Sequence, residues 1–172
     1  MTAIIFAVVL LSSATNAQIK SVYTSLSDKV CKTIESNPNE GGSYEGLCPG
    51  IGGYKLRLYE GDLRQSINVV TPNKKDHPLD FGSNVTSAFS AVGEKAEWRV
   101  KGGKPVALIV RLNSSGDPVN PDRNVSYLVV AKITGNSACI TDIVLPTVKN
   151  QNARARELAD ASATKPCAAP RQ

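Results

Sequence analysis

The chain has 172 residues, of which 41% are hydrophobic and 20% are charged, and its formal net charge at pH 7 is +5. This length suits one domain with one core. The lysines and arginines are scattered rather than clustered, which argues against a nucleic-acid-binding arm. The basic pI of about 9.1 is compatible with an anionic protein or an envelope polymer as a partner. A mildly basic soluble protein without such a partner is the alternative.

The first segment of the chain has the pattern of a secretory signal peptide. Residues 3–11 form an apolar core, and small and polar residues follow it, with Thr15 and Ala17 at positions −3 and −1 of a cleavage site. The apolar run is shorter than the roughly 20 residues that span a bilayer; a buried N-terminal strand is another reading of it. We therefore predict a signal peptide over residues 1–17 and a single disulfide-bonded domain over residues 18–172, periplasmic or secreted and without a transmembrane segment.

All four cysteines of the chain lie beyond the predicted cleavage site, at Cys31, Cys48, Cys139 and Cys167. An even number of cysteines in an exported chain predicts disulfide bonds. Of the three possible pairings, Cys31–Cys48 with Cys139–Cys167 needs the least chain travel. The first bond would close a loop rich in glycine and proline, which stabilises a fold by about 3 kcal/mol for a loop of roughly 15 residues.

The clearest strand pattern is a hairpin over residues 54–69 that turns at Gly61-Asp62 and places Glu60 opposite Leu63. Its inward positions are mostly aliphatic. Its outward positions carry three cations: Lys55, Arg57 and Arg64. In this register the three cations share one small patch, because facing strand positions lie about 5 Å apart. One hypothesis is that this patch binds an anionic partner. The pattern is more typical of a solvated edge kept basic to prevent strand-to-strand aggregation.

Two further hairpins turn at Gly102-Gly103 and at Gly135-Asn136. Their strand segments over residues 106–112 and 125–131 are apolar at nearly every position, which is typical of strands covered on both faces. A C-terminal helix over residues 150–163 is the predicted cover. One face of this helix is apolar or small: Val148, Ala155, Leu158, Ala159 and Ser162. The patterns together predict an α+β fold, in which an antiparallel β-meander of six or more strands forms a curved sheet or open barrel with one C-terminal helix.

Few residues offer catalytic or metal-binding chemistry. The chain has one histidine, His77, in a polar loop, and no cluster of His, Cys and carboxylate side chains stands out, so we predict neither a metal site nor a cofactor. Neither a nucleophile elbow nor a phosphate-binding loop occurs. Glu60 and Asp142 are candidates for acid–base cleavage of a glycan, which requires two carboxyl groups close together.

Arg111 is a further candidate, because it lies inside an otherwise apolar strand. A buried charge requires a partner. One reading is a structural ion pair between Arg111 and either Glu94 or Asp142, and the other is an arginine that binds a ligand in a pocket. We therefore add Arg111 to the predicted binding residues.

Several short motifs are turn-like or contain the cysteines: Cys31-Lys32-Thr33-Ile34, Glu40-Gly41-Gly42-Ser43, Cys48-Pro49-Gly50, Glu60-Gly61-Asp62-Leu63-Arg64, Gly93 with Glu97-Trp98-Arg99, and the helix that runs to Cys167. In these motifs the chain resembles a group of small exported proteobacterial proteins whose function is uncharacterised. The resemblance covers most of the mature chain. It implies a shared fold with two disulfides and no particular reaction.

These observations favour a non-enzymatic exported envelope protein that binds a macromolecule or a ligand, as an inhibitor or an accessory factor. A small envelope hydrolase that uses carboxylates is the alternative. A deep pocket that holds Glu60 or Asp142 near a second carboxylate would favour the hydrolase. A flat polar surface on which both carboxylates are ion-paired would favour binding.

Overall fold

The structure is a computed structural model that describes residues 17–39, 42–116 and 123–170. Most of the described residues lie in strands. The strands are as follows: β1 Lys20–Ser25, β2 Lys32–Asn37, β3 Ser43–Pro49, β4 Lys55–Gly61, β5 Arg64–Val70, β6 Asp76–Pro78, β7 Ser90–Lys101, β8 Lys104–Ser115, β9 Asn124–Thr134 and β10 Ser137–Val144. One turn of helix, α1 (Phe81–Asn84), precedes β7, and the longer α2 (Gln151–Asp160) follows β10 and continues into a 3₁₀ turn over Ser162–Thr164.

The strands of the described part form one sheet in the order β10-β9-β8-β7-β5-β4-β3-β2, with β1 also paired to β7 and β6 to β5. The prediction of a β-rich fold with a C-terminal helix is confirmed, but the sheet is mixed and not purely antiparallel. β5 and β7 run parallel where Arg64 lies opposite Ser90. The reason is that β6 folds back on β5, and a second reversal at α1 returns the chain to its original direction.

The main hydrophobic core lies between two halves of the sheet, which curls so that they face each other. β4 and β5 contribute buried aliphatic residues: Leu56, Leu58, Ile67 and Val69. These residues pack in one cluster with Trp98 of β7 and with Leu108 and Leu112 of β8. Tyr54 joins the two halves, since its ring centre lies 6.2 Å from that of Trp98 and its hydroxyl donates to the Gly135 carbonyl at 2.6 Å.

A second, smaller core lies on the other face of the sheet, beneath α2. Its strand residues are aliphatic and buried: Ala107, Ile109, Leu128, Val130 and Val144. They pack against Ala155 and Ala159 of α2 and against the partly buried Val148 and Leu158. The prediction that the C-terminal helix covers strands with two buried faces is therefore confirmed.

The first hairpin turns one residue later than predicted, at Asp62 and Leu63, whose φ angles are 50° and 58°. Glu60 consequently pairs with Gln65 and not with Leu63. The register shift amounts to two residues, and every side chain keeps its predicted face, because side chains alternate with a period of two. In the observed register the Leu63 carbonyl accepts from the Ser90 N–H at 3.0 Å and Gln65 Oε1 accepts from the Val92 N–H at 2.8 Å. Both contacts join the hairpin to β7.

The second and third hairpins turn where predicted, at Gly102-Gly103 and Gly135-Asn136. A β-bulge between Ile140 and Asp142 reverses the alternation of side chains along β10. Asp142 therefore lies opposite Val130, on the face that α2 covers, and not with Ile140 on the core face.

Both predicted disulfide bonds are formed. Cys31–Cys48 joins the residue before β2 to β3, with 4.1 Å between the Cα atoms, and Cys139–Cys167 joins β10 to the segment after α2, with 5.7 Å. Such bonds persist in oxidising compartments, which supports a location outside the cytoplasm. No helix in the described ranges is both long and apolar enough to cross a membrane. The signal peptide predicted over residues 1–17 lies outside the described residues except for Ala17.

Candidate functional site

The three cations of the predicted basic patch lie along one hairpin without forming a single cluster. Arg57 lies opposite Asn68, whereas Arg64 lies opposite Gly61, at the far end of β4. Four strand positions, or about 13 Å, separate Arg57 from Gly61. The register shift thus moves Arg64 away from Arg57 and from Lys55, which is exposed at the start of β4.

Arg57 is held by two carboxylates on neighbouring strands. It forms ion pairs with Glu45 of β3 at 2.5 Å and with Asp76 of β6 at 3.2 Å. The hydrogen bond to Glu45 raises the pKa of the Arg57 guanidinium above its ordinary value. Because its charge is balanced within the fold, Arg57 is a weaker candidate for binding an anionic partner than the sequence alone indicated.

Arg64 lies at the turn of the first hairpin, where three contacts orient it. It forms an ion pair with Asp62 and donates from Nε to the Ser87 carbonyl at 2.8 Å. Its guanidinium also stacks over Phe89, 4.8 Å from the ring centre. Arg64 therefore packs against Phe89 and lies apart from the other two cations.

Arg111 differs from these cations, because its partners in the described part of the chain are neutral. Its Nη2 donates to Asn152 Oδ1 at 2.9 Å, and its Nη1 donates to Gln151 Oε1 at 3.4 Å. Both amides belong to the first turn of α2. The side chain of Arg111 is half-buried between β8 and this turn.

The structural ion pair predicted for Arg111 does not form. Asp142 pairs with Lys165 at 2.7 Å, because the bulge in β10 turns the carboxylate toward the segment that follows α2. Glu94 lies in an irregular stretch of β7 where the register with β8 shifts. The alternative reading of Arg111, a ligand-binding arginine, is the one that the geometry leaves open.

Arg111 lines a cavity of about 250 Å³ between the sheet and α2, which we call the arginine cavity. Its charged lining residues are three cations and one carboxylate: Lys95, Arg111, Arg156 and Glu97. Their net charge at neutral pH is +2, and Tyr23 and Asn152 add neutral polar groups. A cavity with this balance of charge attracts an anionic group.

An ion-pair network joins α2 to the sheet, and two of its members, Glu97 and Arg156, line the arginine cavity. Arg156 of α2 donates to both oxygens of Glu97, at 2.6 Å and 3.2 Å. Arg99, two residues further along β7, binds both oxygens of Asp160 at 2.7 Å. The Ser21 hydroxyl donates to Glu97 and accepts from Arg99, which links the two pairs.

Glu97 is ionised in this network although only 11% of its side chain is exposed. Burial by itself raises the pKa of a carboxyl, but the hydrogen bonds from Arg156 and Ser21 outweigh it, so the pKa of Glu97 lies below its ordinary value of 4.5. Sequence reasoning missed the network. The sequence feature that could have indicated it is the placement of Glu97 and Arg99 on either side of Trp98, which puts two charged side chains on the same face of a buried strand.

A larger cavity, of about 610 Å³, lies at one end of the curled sheet, and we call it the end cavity. Glu60 lines it and accepts a hydrogen bond from Gln65. Glu60 is the one carboxylate among the described residues that line this cavity. The described residues therefore do not assemble there the carboxylate pair that the hydrolase alternative requires.

Comparison with family models, with curated proteins and with solved structures returns no match for this chain. Membership of the group of small exported proteobacterial proteins therefore stays a prediction.

Proposed function

We propose that this chain is an exported, non-enzymatic binding protein whose arginine cavity receives a carboxylate of an acidic partner protein. The observation that carries the proposal is the Arg111 guanidinium, which is half-buried and has neutral amides as its partners among the described residues. A partly desolvated cation gains most from a ligand that brings the opposite charge.

Two amide side chains orient the guanidinium before any ligand arrives. Gln151 donates from Nε2 to the carbonyls of Ser126 and Leu145, both at 2.9 Å, and this fixes its Oε1 toward Arg111. Asn152 accepts from the other side of the guanidinium. Because the side chain is already ordered, little entropy is lost on binding, and its remaining N–H groups match the geometry of a carboxylate.

The surroundings of Arg111 add positive potential. Lys95 stands exposed at the rim of the arginine cavity. Asn150, which precedes α2, makes no side-chain capping hydrogen bond, and the first turn of α2 contains no acidic side chain. The first N–H groups of the helix therefore add to the field at the cavity.

A protein carboxylate fits this cavity better than an anionic polymer does. A cavity of about 250 Å³ with one unneutralised guanidinium accommodates a single anionic group. A polymer would require an extended basic surface, and the hairpin that was predicted to supply one carries its arginines apart from each other and paired with carboxylates. An acidic partner protein is therefore the preferred ligand.

The alternative of a small hydrolase has less support. It would require Glu60 or Asp142 to lie beside a second carboxylate in a cavity. Among the described residues, Glu60 accepts a hydrogen bond from Gln65, and Asp142 forms an ion pair with Lys165. Asp142 is therefore ion-paired, and among the described residues no second carboxylate lines the end cavity beside Glu60.

The proposal is tested by titrating the oxidised mature protein with poly-L-glutamate at low and at physiological salt. We expect Arg111→Gln to weaken binding at least about tenfold, because a charge-assisted hydrogen bond contributes about 1.5–3 kcal/mol and about 1.4 kcal/mol corresponds to a factor of ten. Arg154→Gln is the matched control: it removes the same charge from an exposed residue of α2 that pairs with Glu157 at 3.1 Å, and it should change the affinity less than about twofold.

Equal affinities of the Arg111→Gln and Arg154→Gln variants for poly-L-glutamate would contradict the proposal. A parallel titration with dextran sulfate distinguishes the kinds of partner. Tighter binding of dextran sulfate than of poly-L-glutamate would indicate an anionic polymer as the partner and would also contradict the proposal.

A further inference from the structure

The end cavity exists because β5 and β7 separate after a single paired position. Arg64 lies opposite Ser90, and beyond that point Val92 donates its N–H to the side chain of Gln65 at 2.8 Å. The Gln65 side chain thus takes the place of a neighbouring strand and leaves a gap at the end of the core. The volume of about 610 Å³ falls within the range of about 300–1,000 Å³ that is typical of small-molecule sites.

Inward-facing side chains change from aliphatic to polar at this end of the sheet. On β4 the buried Leu58 is followed on the same face by Glu60. On β8 the buried Leu112 is followed on the same face by Ser114. Gln65 precedes the buried Ile67 in the same way on β5. The wall of the end cavity therefore carries hydrogen-bonding groups directly next to the apolar core.

The polar groups of the end cavity are ordered, and one of them is unsatisfied. Gln65 donates from Nε2 to Glu60 Oε2, and its Oε1 accepts the N–H of Val92, so both polar atoms of the amide are engaged. Ser114, with 1% of its surface exposed, lies opposite Ser90, and its hydroxyl makes no hydrogen bond to any described residue. A buried hydroxyl without a partner is unfavourable and indicates a group that another molecule satisfies.

Two exposed apolar side chains flank the opening of the end cavity. Leu63 is 57% exposed and Phe89 is 46% exposed, and both line the cavity. Leu63 has a φ of 58°, in a turn position that favours glycine or asparagine and strains a leucine. An exposed leucine at a strained position beside a cavity points to a contact with a ligand.

We propose that the end cavity binds a neutral saccharide. A sugar ring presents hydroxyls at its edge and C–H groups on its faces. Glu60, Gln65 and Ser114 match the hydroxyls, and Leu63 and Phe89 cover a C–H face. The described lining residues carry one charge, the Glu60 carboxylate, which can accept hydrogen bonds from the hydroxyls of a neutral sugar. This site is distinct from the arginine cavity and does not depend on the function proposed there.

The test is calorimetric titration of the oxidised mature protein with three neutral trisaccharides: maltotriose, cellotriose and tri-N-acetylchitotriose. We expect at least one of them to bind, and we expect Leu63→Gly to weaken that binding at least about fivefold by removing buried apolar contact. Since glycine suits the turn, the same variant should melt at or above the temperature of the wild type. Loss of affinity without loss of stability separates a ligand contact from a structural one.

Two further variants complete the experiment. Ile34→Ser removes an aliphatic side chain that is 48% exposed on β2, and it should leave the affinity within about twofold, as is usual for a residue outside the site. Arg111→Gln should also leave the saccharide affinity unchanged. The proposal is overturned if none of the three trisaccharides binds, if Leu63→Gly binds as tightly as the wild type, or if Arg111→Gln abolishes the binding.

Discussion

Glu97 is buried beside two arginines because both of its oxygens have donors. The unfavourable desolvation of its carboxylate is offset by Arg156 and Ser21, and the second arginine, Arg99, is matched by Asp160. The network is therefore neutral as a whole. Such a network stabilises the fold only while it is complete, since removal of one partner leaves a buried charge unpaired.

The lowered pKa of Glu97 predicts a loss of stability in acid. The unfolded chain binds a proton at Glu97 near the ordinary pKa of 4.5, and the folded chain binds it only at lower pH. The stabilisation is therefore fully present above about pH 4.5 and is lost as the pH falls through the folded pKa. Urea unfolding followed by the fluorescence of Trp98, the single tryptophan, measures the unfolding free energy across this range.

A Glu97→Gln variant isolates this effect. We expect it to be less stable than the wild type at neutral pH by about 1–3 kcal/mol, because Arg156 loses its counter-charge. It should lose less stability than the wild type on acidification, since residue 97 no longer titrates. If both proteins lose the same stability between neutral and acidic pH, Glu97 is not the group responsible.

α2 depends on more than its apolar face for its position on the sheet. The buried residues of this ten-residue helix are Ala155 and Ala159, and alanine side chains bury little surface. A helix of this length is also marginal by itself in water. The ion pairs from Arg156 and Asp160 and the bond between Cys139 and Cys167 therefore hold an element that packing alone would hold weakly.

Removal of the second disulfide should loosen α2. The Cys139→Ser/Cys167→Ser variant opens a loop with a sequence separation of 28 residues, which costs about 3–4 kcal/mol of stability in the chain-entropy model. Hydrogen exchange of the α2 amides should become faster than that of the core strands, because the helix gains a local opening.

The matched control is Cys31→Ser/Cys48→Ser, which opens a loop with a separation of 17 residues at the other end of the sheet. It should lower the unfolding free energy by a similar amount, about 3 kcal/mol, while the α2 amides continue to exchange together with the core strands. An equal response of the α2 amides in both variants would show that the second bond does not anchor the helix.

The curled sheet carries two cavities with different linings. The arginine cavity lies on the face that α2 covers, and its charged lining gives it a positive field. The end cavity lies where the inner face opens, and its lining is nearly neutral. The arginine cavity is therefore lined mainly by charged groups, whereas the end cavity is lined by hydrogen-bonding and apolar groups.

The predicted export is tested on the full-length chain. In a bacterial host that exports the full-length chain, the mature protein should begin at Gln18 and contain no free thiols, as measured by mass spectrometry after alkylation without reduction. Ala17→Phe should block processing, because position −1 accepts only small residues. Asn16→Phe is the control at the tolerant position −2. A mature protein that starts elsewhere, or free thiols in it, would contradict the prediction.

Local patterns in the sequence determined much of the fold. Alternation of apolar residues located the strands of the first hairpin, and continuous apolar runs located strands of the other two. Glycine-containing dipeptides located two of the three turns, and chain separation identified both disulfide pairs. The buried face of α2 followed from the spacing of Ala155 and Ala159. These features depend on residues that are close in sequence, and so the sequence alone specifies them.

The tertiary structure decided the features that depend on distant residues. A register shift of two residues keeps every side chain on its face, so alternation could not distinguish a turn at Asp62-Leu63 from one at Gly61-Asp62. The partner of Asp142 depended on a bulge that alternation does not reveal. β5 and β7 separate beyond the parallel pair of Arg64 with Ser90, and this separation leaves room for the end cavity. The approach of α2 to β8 places neutral amide side chains next to Arg111. Long-range packing selects each of these arrangements, because the local sequence allows several turn positions and strand registers of nearly equal free energy.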